Sequence, residues 1–218
     1  MRFLKCWCFA LVFLSWFIGL CQCDNWYVIV STSRYWFNYR HLANSLSIYT
    51  IIRQLGVPDS RIIMMNSDSV ACDPRNSIHG SIYNDHNTRY DLCGSGVETD
   101  YEGDHVSVDA FINVMTGRHL DSVPYHKRLH STNTSKVLLY MAGHGGDEFL
   151  KFHDHEELTA AMLGAAVDEM SIKNMFGELM IIVDTCQAST LGNYIEANDP
   201  SRGITFIASS HKDENSYG

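Results

Sequence analysis

The sequence predicts a single α/β domain in which helices cover both faces of a mostly parallel sheet. From Asp24 onward, short runs rich in β-branched residues alternate with amphipathic stretches, which is the pattern of repeated strand and helix units. Some of the apolar runs are continuous, as in strands that are buried on both faces. A length of 218 residues suits one such domain with a substantial core, and a second full domain is not expected.

Residues 1–23 come before this pattern and have the features of a signal peptide. Arg2 and Lys5 form a basic start, a short apolar run follows, and Cys21-Gln22-Cys23 places small residues where a cleavage site before Asp24 needs them. A retained membrane anchor is the alternative, but the apolar run is shorter than the roughly 20 residues that span a bilayer. We therefore expect the domain to occupy residues 24–218.

The remaining elements follow from hydrophobic periodicity and from helix stop signals. Gly56 with Pro58 and Gly117 mark the ends of the first two predicted helices. The polar stretch from Asn66 to Gly103 is too long for an ordinary connection and predicts a functional or partner-binding excursion. The predicted strands are Trp26–Ser31, Arg61–Met65, Lys136–Met141, Glu178–Val183 and Ile204–Ala208, with a small hairpin at Phe149–Phe152, and the predicted helices are Asn38–Leu55, Val106–Thr116 and Glu156–Phe176, the last with a break near Gly164.

The charge of the chain excludes one class of partner. The formal net charge is −9, and removal of Arg2 and Lys5 with the signal peptide lowers Lys+Arg from 16 to 14 against 25 acidic residues, which makes it −11. Nucleic acid is therefore not expected as a partner, because phosphate binding needs a basic surface.

Three cysteines follow the predicted cleavage site: Cys72, Cys93 and Cys186. An odd number in an oxidising compartment requires a free reactive thiol or a bond to another chain. The sequon that begins at Asn133 is a candidate glycosylation site and agrees with a lumenal location.

Polar residues directly follow two of the predicted strands. His144 lies in a glycine-rich loop after the third strand, and Cys186 lies just after the fourth. Ligands of open parallel sheets bind at the carboxyl ends of the strands, so both side chains are site candidates. A histidine can accept the thiol proton and later protonate the leaving amine, which makes a cysteine and a histidine a nucleophilic pair. A buried core thiol and an ordinary loop histidine are the alternatives.

Metal sites are less well supported. His153 and His155 are too close in sequence for the i, i+4 pairing of a zinc helix, and a solvated helix start explains them better. Asp100, Glu102 and Asp104 lack the twelve-residue calcium loop. We therefore predict no metal site and no cofactor.

The blocks around the two candidate residues resemble a known family. Gly143-His144-Gly145-Gly146-Asp147 with Phe149–Phe152, followed by Asp184-Thr185-Cys186-Gln187-Ala188, is similar to the catalytic subunits of GPI:protein transamidases, in the legumain group of caspase-like cysteine peptidases. The resemblance runs from about Asn25 to Gly218 and implies a caspase-like fold. Glu148 departs from it, since glycine is expected there. The family's domain normally continues past Glu214–Tyr217, so the resemblance also implies a domain truncated at its C-terminal end.

The resemblance implies a reaction in the lumen of the endoplasmic reticulum. Cys186 would attack the carbonyl of the attachment residue in proproteins that carry a C-terminal GPI signal, and the ethanolamine amine of a GPI glycolipid would resolve the thioester. The backbone N–H groups of Gly145 and Cys186 are natural donors to the oxyanion. Other subunits would hold the protein at the membrane, with Cys72 disulfide-bonded to one of them; an internal pair with Cys93 is the alternative.

Similarity to legumain implies roles for four more residues. Asn38 would orient the His144 ring, although it is an equally good helix N-cap. Arg40, His41 and Ser216 would line the pocket for the residue whose carbonyl is attacked; Arg40 and His41 are otherwise ordinary surface residues of the helix start. Two other functions remain open, a legumain-like asparaginyl endopeptidase and a non-catalytic caspase-like scaffold.

Overall fold

The computed structural model describes residues 24–85, 90–94, 96–195 and 202–217. The predicted signal peptide lies outside these residues. The central sheet has six strands, which are β1 (Asn25–Ser31), β2 (Ile62–Asn66), β3 (Tyr101–Glu102), β4 (Lys136–Ala142), β8 (Glu178–Asp184) and β9 (Ile204–Ala208). Their order across the sheet is β3-β2-β1-β4-β8-β9, and every neighbouring pair is parallel.

Helices cover both faces of this sheet, which confirms the predicted fold class. Alternate residues of each strand point to opposite faces. On one face Ile29 and Tyr140 pack against α1 (Tyr39–Gln54). The other face, with Val28 and Leu139, packs against α2 (Val108–Thr116) and α3 (Ala160–Ile172). The continuous apolar character of the central strands follows from this double burial.

Local signals in the sequence set the ends of two helices. Ser107 caps the start of α2 by accepting a hydrogen bond from the Ala110 N–H at 3.0 Å. Gly117 ends the same helix in the left-handed conformation at φ 67°, which glycine adopts without strain. Thr159 caps α3 through the N–H of Met162 at 3.2 Å.

The predicted helix Glu156–Phe176 is wrong in its first turn and in its break. Residues Glu156–Thr159 form strand β7, which pairs antiparallel with β6 (Phe149–Phe152). β6 also pairs with β5 (Gly145–Gly146), and the three strands form a small second sheet. The partner strand supplies hydrogen bonds that the local sequence does not reveal. α3 runs through Gly164, whose missing side chain leaves room for Tyr194, since a Cβ there would lie 2.7 Å from the Tyr194 Cβ.

In the described part of the excursion after β2, local hydrogen bonds join neighbouring residues, as from the Asn76 N–H to the Asp73 carbonyl at 2.9 Å. Its last residues form β3, a strand that the sequence did not predict, which extends the sheet beside β2 at Met65 and Asn66.

Within the described part of the chain, no helix combines the length and the apolar character that crossing a membrane requires.

Candidate functional site

The register of the sheet brings the two candidate catalytic residues to one edge. Ala142 at the end of β4 is aligned with Asp184 at the end of β8. A hydrogen bond of 3.2 Å from the Gly143 N–H to the Asp184 carbonyl continues this pairing by one residue. His144 and Cys186 therefore each lie two residues beyond an aligned pair, on loops that leave neighbouring strands at the same edge.

The His144 ring is held by Asn38, which lies in the connection between β1 and α1. The His144 Nε2 and Asn38 Oδ1 atoms are 2.6 Å apart, and the Asn38 Nδ2 donates to the Arg34 carbonyl at 2.6 Å. Because this second bond makes Oδ1 the acceptor, the Nε2 carries the hydrogen, and the Nδ1 of the neutral ring keeps its lone pair. Asn38 occupies the N-cap position of α1 but makes no side-chain cap hydrogen bond.

The strand order places Asn38 and Cys186 on opposite sides of His144. β4 carries His144 and lies between β1, which leads to Asn38, and β8, which leads to Cys186. With the Nε2 directed to Asn38, the Nδ1 is the ring nitrogen left to exchange a proton with the thiol. This arrangement suits general acid–base catalysis.

His41 lies beside the candidate base. Its ring meets the His144 ring edge-on, with centroids 4.9 Å apart at 84°, and its Nδ1 lies 2.8 Å from the Ser33 Oγ. Burial, followed by the nearby Arg40 guanidinium, lowers the pKa of His41 to about 4. The same two causes, in the same order, lower the pKa of His144. Both rings are therefore neutral at neutral pH, and His144 is available as a base.

The loop that carries Cys186 is fixed by the segment that follows β9. The Ser210 Oγ donates to the Thr185 carbonyl at 2.8 Å and accepts from the Ala188 N–H at 3.1 Å. The Gln187 N–H donates to the Glu214 carbonyl at 2.9 Å. Among the described residues nothing accepts a hydrogen bond from the Cys186 N–H, and the residue is half-buried. This donor is available to a ligand.

The second sequence-predicted oxyanion donor, the Gly145 N–H, lies at the start of the β5–β6 hairpin. The Lys151 N–H donates to the His144 carbonyl at 2.8 Å, and the next pair in the register is Gly145 with Leu150. Hydrogen-bonded and non-bonded pairs alternate in antiparallel ladders, so the Gly145 N–H points away from β6. A Cβ at Gly145 would lie 2.6 Å from the Thr185 Oγ1, so only glycine allows the two loops to approach this closely.

Asp184 is a residue of the site that the sequence analysis did not single out. Its Oδ1 accepts from the Ser216 Oγ at 2.8 Å, and its Oδ2 accepts from the Asn44 Nδ2 at 3.0 Å and from the Tyr140 hydroxyl at 3.3 Å. Asp184 also acts electrostatically on His41, whose pKa it raises in opposition to burial. The signal in the sequence was a carboxylate at the end of a buried strand, two residues before the cysteine.

Glu148 replaces the expected glycine without opening the hairpin. It adopts φ 64°, a left-handed conformation that glycine favours. Its Oε1 accepts from the Asn193 Nδ2 at 2.7 Å, and its N–H donates to the Thr190 Oγ1 at 2.7 Å. These bonds join the hairpin after His144 to the turn of 3₁₀ helix after Cys186.

The other predicted sites lie away from this edge. Cys72 is exposed, Cys93 is half-buried, and both are free thiols. Burial, with Asp91 and Cys72 nearby, raises the pKa of Cys93 to about 11. Asn133 is exposed and precedes β4, so it lies at the edge of the sheet opposite His144. Among the described residues, no group of three or more metal-ligating side chains could hold a metal ion.

Comparisons with known proteins identify the family of this chain. A model of the Peptidase C13 family matches residues 25–218. The GPI-anchor transamidase of Saccharomyces cerevisiae is 46% identical over 194 residues, which are 89% of this chain and 46% of that protein. The GPI-anchor transamidase of Bos taurus is 45% identical over 193 residues, 88% of this chain and 48% of that protein. A Drosophila melanogaster protein named putative GPI-anchor transamidase is also 45% identical, over 88% of this chain and 53% of its own length.

The chain spans about half the length of these curated relatives. The family match, by contrast, covers nearly all of the described domain, including both loops of the candidate site. On this extent of similarity, we conclude that the chain belongs to the Peptidase C13 family.

Proposed function

We propose that this chain is the catalytic part of a GPI:protein transamidase, with Cys186 as nucleophile and His144 as proton-transfer residue. The observation that carries the proposal is the alignment of Ala142 with Asp184 at the ends of neighbouring strands. This alignment brings the loops that carry His144 and Cys186 to the same edge of the sheet. Relatives named GPI-anchor transamidase, at 43–46% identity over nearly 90% of the chain, support the choice of reaction.

The first half of the reaction forms a thioester. The His144 Nδ1 accepts the proton of the Cys186 thiol, and the thiolate attacks the carbonyl carbon of the attachment residue. The N–H groups of Cys186 and Gly145 stabilise the negative oxygen of the tetrahedral intermediate. When this collapses, the C–N bond breaks, and His144 returns its proton to the leaving amine of the C-terminal peptide.

The second half transfers the acyl group. The ethanolamine amine of a GPI glycolipid attacks the thioester and loses a proton to the His144 Nδ1, and Cys186 leaves as the thiol. The product is an amide and not a free acid only if the amine reaches the thioester faster than water does. Throughout, Asn38 keeps the ring in the required tautomer through its bond to the Nε2.

A pocket for the attachment residue is proposed between α1 and the segment after β9. Arg40 and His41 come from the first turn of α1, and Ser216 binds Asp184 from the other side at 2.8 Å. The carboxylate of Asp184 links the two walls, because Asn44 of α1 donates to its second oxygen. The pocket therefore depends on contacts between segments distant in the chain.

The same proposal covers location and partners. We place the protein in the lumen of the endoplasmic reticulum, held at the membrane by other subunits of a transamidase complex. The exposure of Cys72 suits a disulfide with such a subunit. A glycan on Asn133, at the edge opposite His144, would leave the site accessible.

The deciding experiment is Cys186→Ala in cells that depend on this protein, scored for uncleaved precursors that carry a GPI signal. We expect precursors to accumulate as in a null mutant, because no other group can form the thioester. Cys93→Ala is the matched control, since it removes a half-buried thiol outside the site. Normal processing by the Cys186 variant would refute the mechanism.

A legumain-like endopeptidase remains the alternative, since the same pair of residues can pass the acyl group to water. Hydrazine distinguishes the two reactions: a transamidase converts its substrates to hydrazides, whereas an endopeptidase releases acids. A non-catalytic scaffold would give neither product and would tolerate Cys186→Ala.

A further inference from the structure

An aromatic groove lies beside the candidate site on the side of His144 opposite Cys186. It has a volume of about 640 Å³. One wall is the connection from β1 into α1, with Phe37, Arg40 and Ala43, and the other belongs to the excursion after β2, with Ile78 and Tyr83. We call this feature the leaving-group groove. Arg40 is shared with the proposed pocket for the attachment residue, and the mechanism above uses no other part of the groove.

The two walls of the leaving-group groove are joined by a fixed set of hydrogen bonds. The Tyr39 hydroxyl donates to the Tyr83 carbonyl at 3.1 Å and accepts from the Tyr83 N–H at 2.6 Å. Within the second wall, the Asn76 Nδ2 donates to the carbonyls of Ala71 and Ser81 at 2.8 and 2.9 Å and fixes the shape of the excursion. The groove is therefore preorganised, which lowers the entropic cost of binding.

The rim of the groove exposes a cluster of large apolar side chains. Phe37 is 66% exposed, Ile78 is 42% exposed, and Tyr35 is 52% exposed and stacks on Phe37 with ring centroids 5.9 Å apart. An exposed apolar cluster beside a site is typical of a ligand-binding surface.

The backbone that presents this rim is strained. Tyr35 adopts φ 73° and ψ 153°, a region that is essentially restricted to glycine. Its N–H donates to the Asp68 Oδ2 at 2.8 Å, and this bond helps to hold the conformation. Such strain, which costs on the order of 1–3 kcal/mol, is commonly found at ligand-binding positions.

The order of strands decides which part of a substrate meets the groove. Along the edge of the sheet, Cys186 follows β8, His144 follows β4, and Asn38 follows β1, with the excursion next to it after β2. His144 must protonate the leaving amine, so the leaving peptide departs from Cys186 past His144. That direction leads to the leaving-group groove.

We propose that the leaving-group groove binds the residues that directly follow the attachment residue in the precursor. This inference rests on the proposed function, because it assumes attack by Cys186. Arg40, which makes no ion pair among the described residues, lies at the junction with the site and can donate to peptide carbonyls. The lining combines aromatic and aliphatic side chains with the polar groups of Asn76, Ser77 and Asn84, which suits an extended peptide with apolar side chains and a hydrogen-bonding backbone. With Asp85 opposite Arg40, the groove carries no excess of positive charge for the phosphates of a glycolipid.

Site-specific photo-cross-linking in microsomes that contain the complete protein tests this assignment. p-Benzoylphenylalanine replaces Phe37 or Ile78 in a Cys186→Ala background, which retains uncleaved precursor. The control carries the same probe at Ile172, which is 80% exposed on α3. We expect cross-links from positions 37 and 78 to residues just after the attachment residue, and background labelling from position 172.

Three outcomes would overturn the inference: cross-links to residues before the attachment residue, cross-links to the GPI glycolipid, or labelling no stronger than at position 172. The proposed function is judged separately, by precursor accumulation in the Cys186→Ala cells without any probe. If precursors fail to accumulate there, the function falls whatever the cross-links show.

A kinetic test gives an independent readout. We expect Phe37→Ser with Ile78→Ser to raise KM about three- to tenfold while changing kcat less, because the groove contributes binding of the peptide and not chemistry. Leu120→Ser, which alters a side chain that is 75% exposed, is the control and should leave KM unchanged. An unchanged KM in the double variant would contradict the assignment.

Discussion

His41 should make this protein sensitive to acid, and the structure allows the size of the effect to be calculated. The ring is 5% exposed and its pKa is lowered from 6.5 to about 4, first by burial and then by Arg40. In the unfolded chain His41 binds a proton below about pH 6.5, whereas in the folded protein it stays neutral until about pH 4. The unfolded state therefore binds more protons in this window, and stability falls as the pH falls.

The loss follows from the two pKa values. A pKa difference of one unit is worth about 1.36 kcal/mol. Protonation linked to His41 should therefore lower the free energy of unfolding by about 2 kcal/mol at pH 5 and by about 3 kcal/mol at pH 4, relative to pH 7.5. The half-buried His144 and the buried His153 also have lowered pKa values and add to the trend with the same sign. The effect of His41 must therefore be measured as a difference between variants.

His41→Phe retains the aromatic volume and removes the titrating group. We expect it to lower the free energy of unfolding at pH 7.5, because the Ser33 hydroxyl loses its partner, but to make the decline toward pH 4 shallower by about 3 kcal/mol. Urea unfolding at several pH values measures both effects. Val114→Ala, which creates a small cavity under α2, is the control and should retain the full decline. Parallel pH profiles for wild type and His41→Phe would refute the reasoning.

Three further changes test the site. Asn38→Ala removes the hydrogen bond to the His144 Nε2 and should lower kcat about tenfold to hundredfold with little change in KM, as measured by steady-state kinetics; an equal rise in KM would point to a binding role. Arg40→Gln removes a charge that holds down the pKa of His144, so the acid limb of the kcat profile should move to higher pH, and a shift to lower pH would contradict this. Gly143→Ala would place a Cβ 2.0 Å from the Thr32 Oγ1, so we expect a lower urea midpoint that Thr32→Ala partly restores; additive losses in the double variant would argue against the contact.

The fold was largely predictable because its signals are local. The continuous apolar run Lys136–Met141 and the β-branched run Ile204–Ala208 identify strands from their own composition, the first in the middle of the sheet and the second partly exposed at its edge. Gly117 correctly predicted the end of the helix Val108–Thr116, because the residue after this helix adopts a left-handed conformation that glycine favours. By contrast, Glu156–Thr159 became a strand only because β6 lies beside it, and β3 formed only because β2 offers an open edge.

The sequence could propose most residues of the candidate site, with Asp184 as an exception, but not the contacts among them. His144 and Cys186 could be chosen from the sequence because each follows a buried strand. The sequence could not assign the Nε2 of His144 to Asn38, since that bond joins residues 106 apart. Nor could it show that Asn44, Tyr140 and Ser216 converge on Asp184, since each comes from a different element.

By itself, the sequence determined which reactive groups are candidates for the site: a thiol, an imidazole and the small residues around them, each placed after a predicted strand. Those features follow from side-chain type and local hydrophobic pattern, which are properties of neighbouring residues. Only the tertiary structure decided which nitrogen of His144 remains available, on which side of it Cys186 lies, and that an aromatic groove opens on the other side. The physical reason is that strand order and register arise from the packing of distant segments, and no local pattern contains that information.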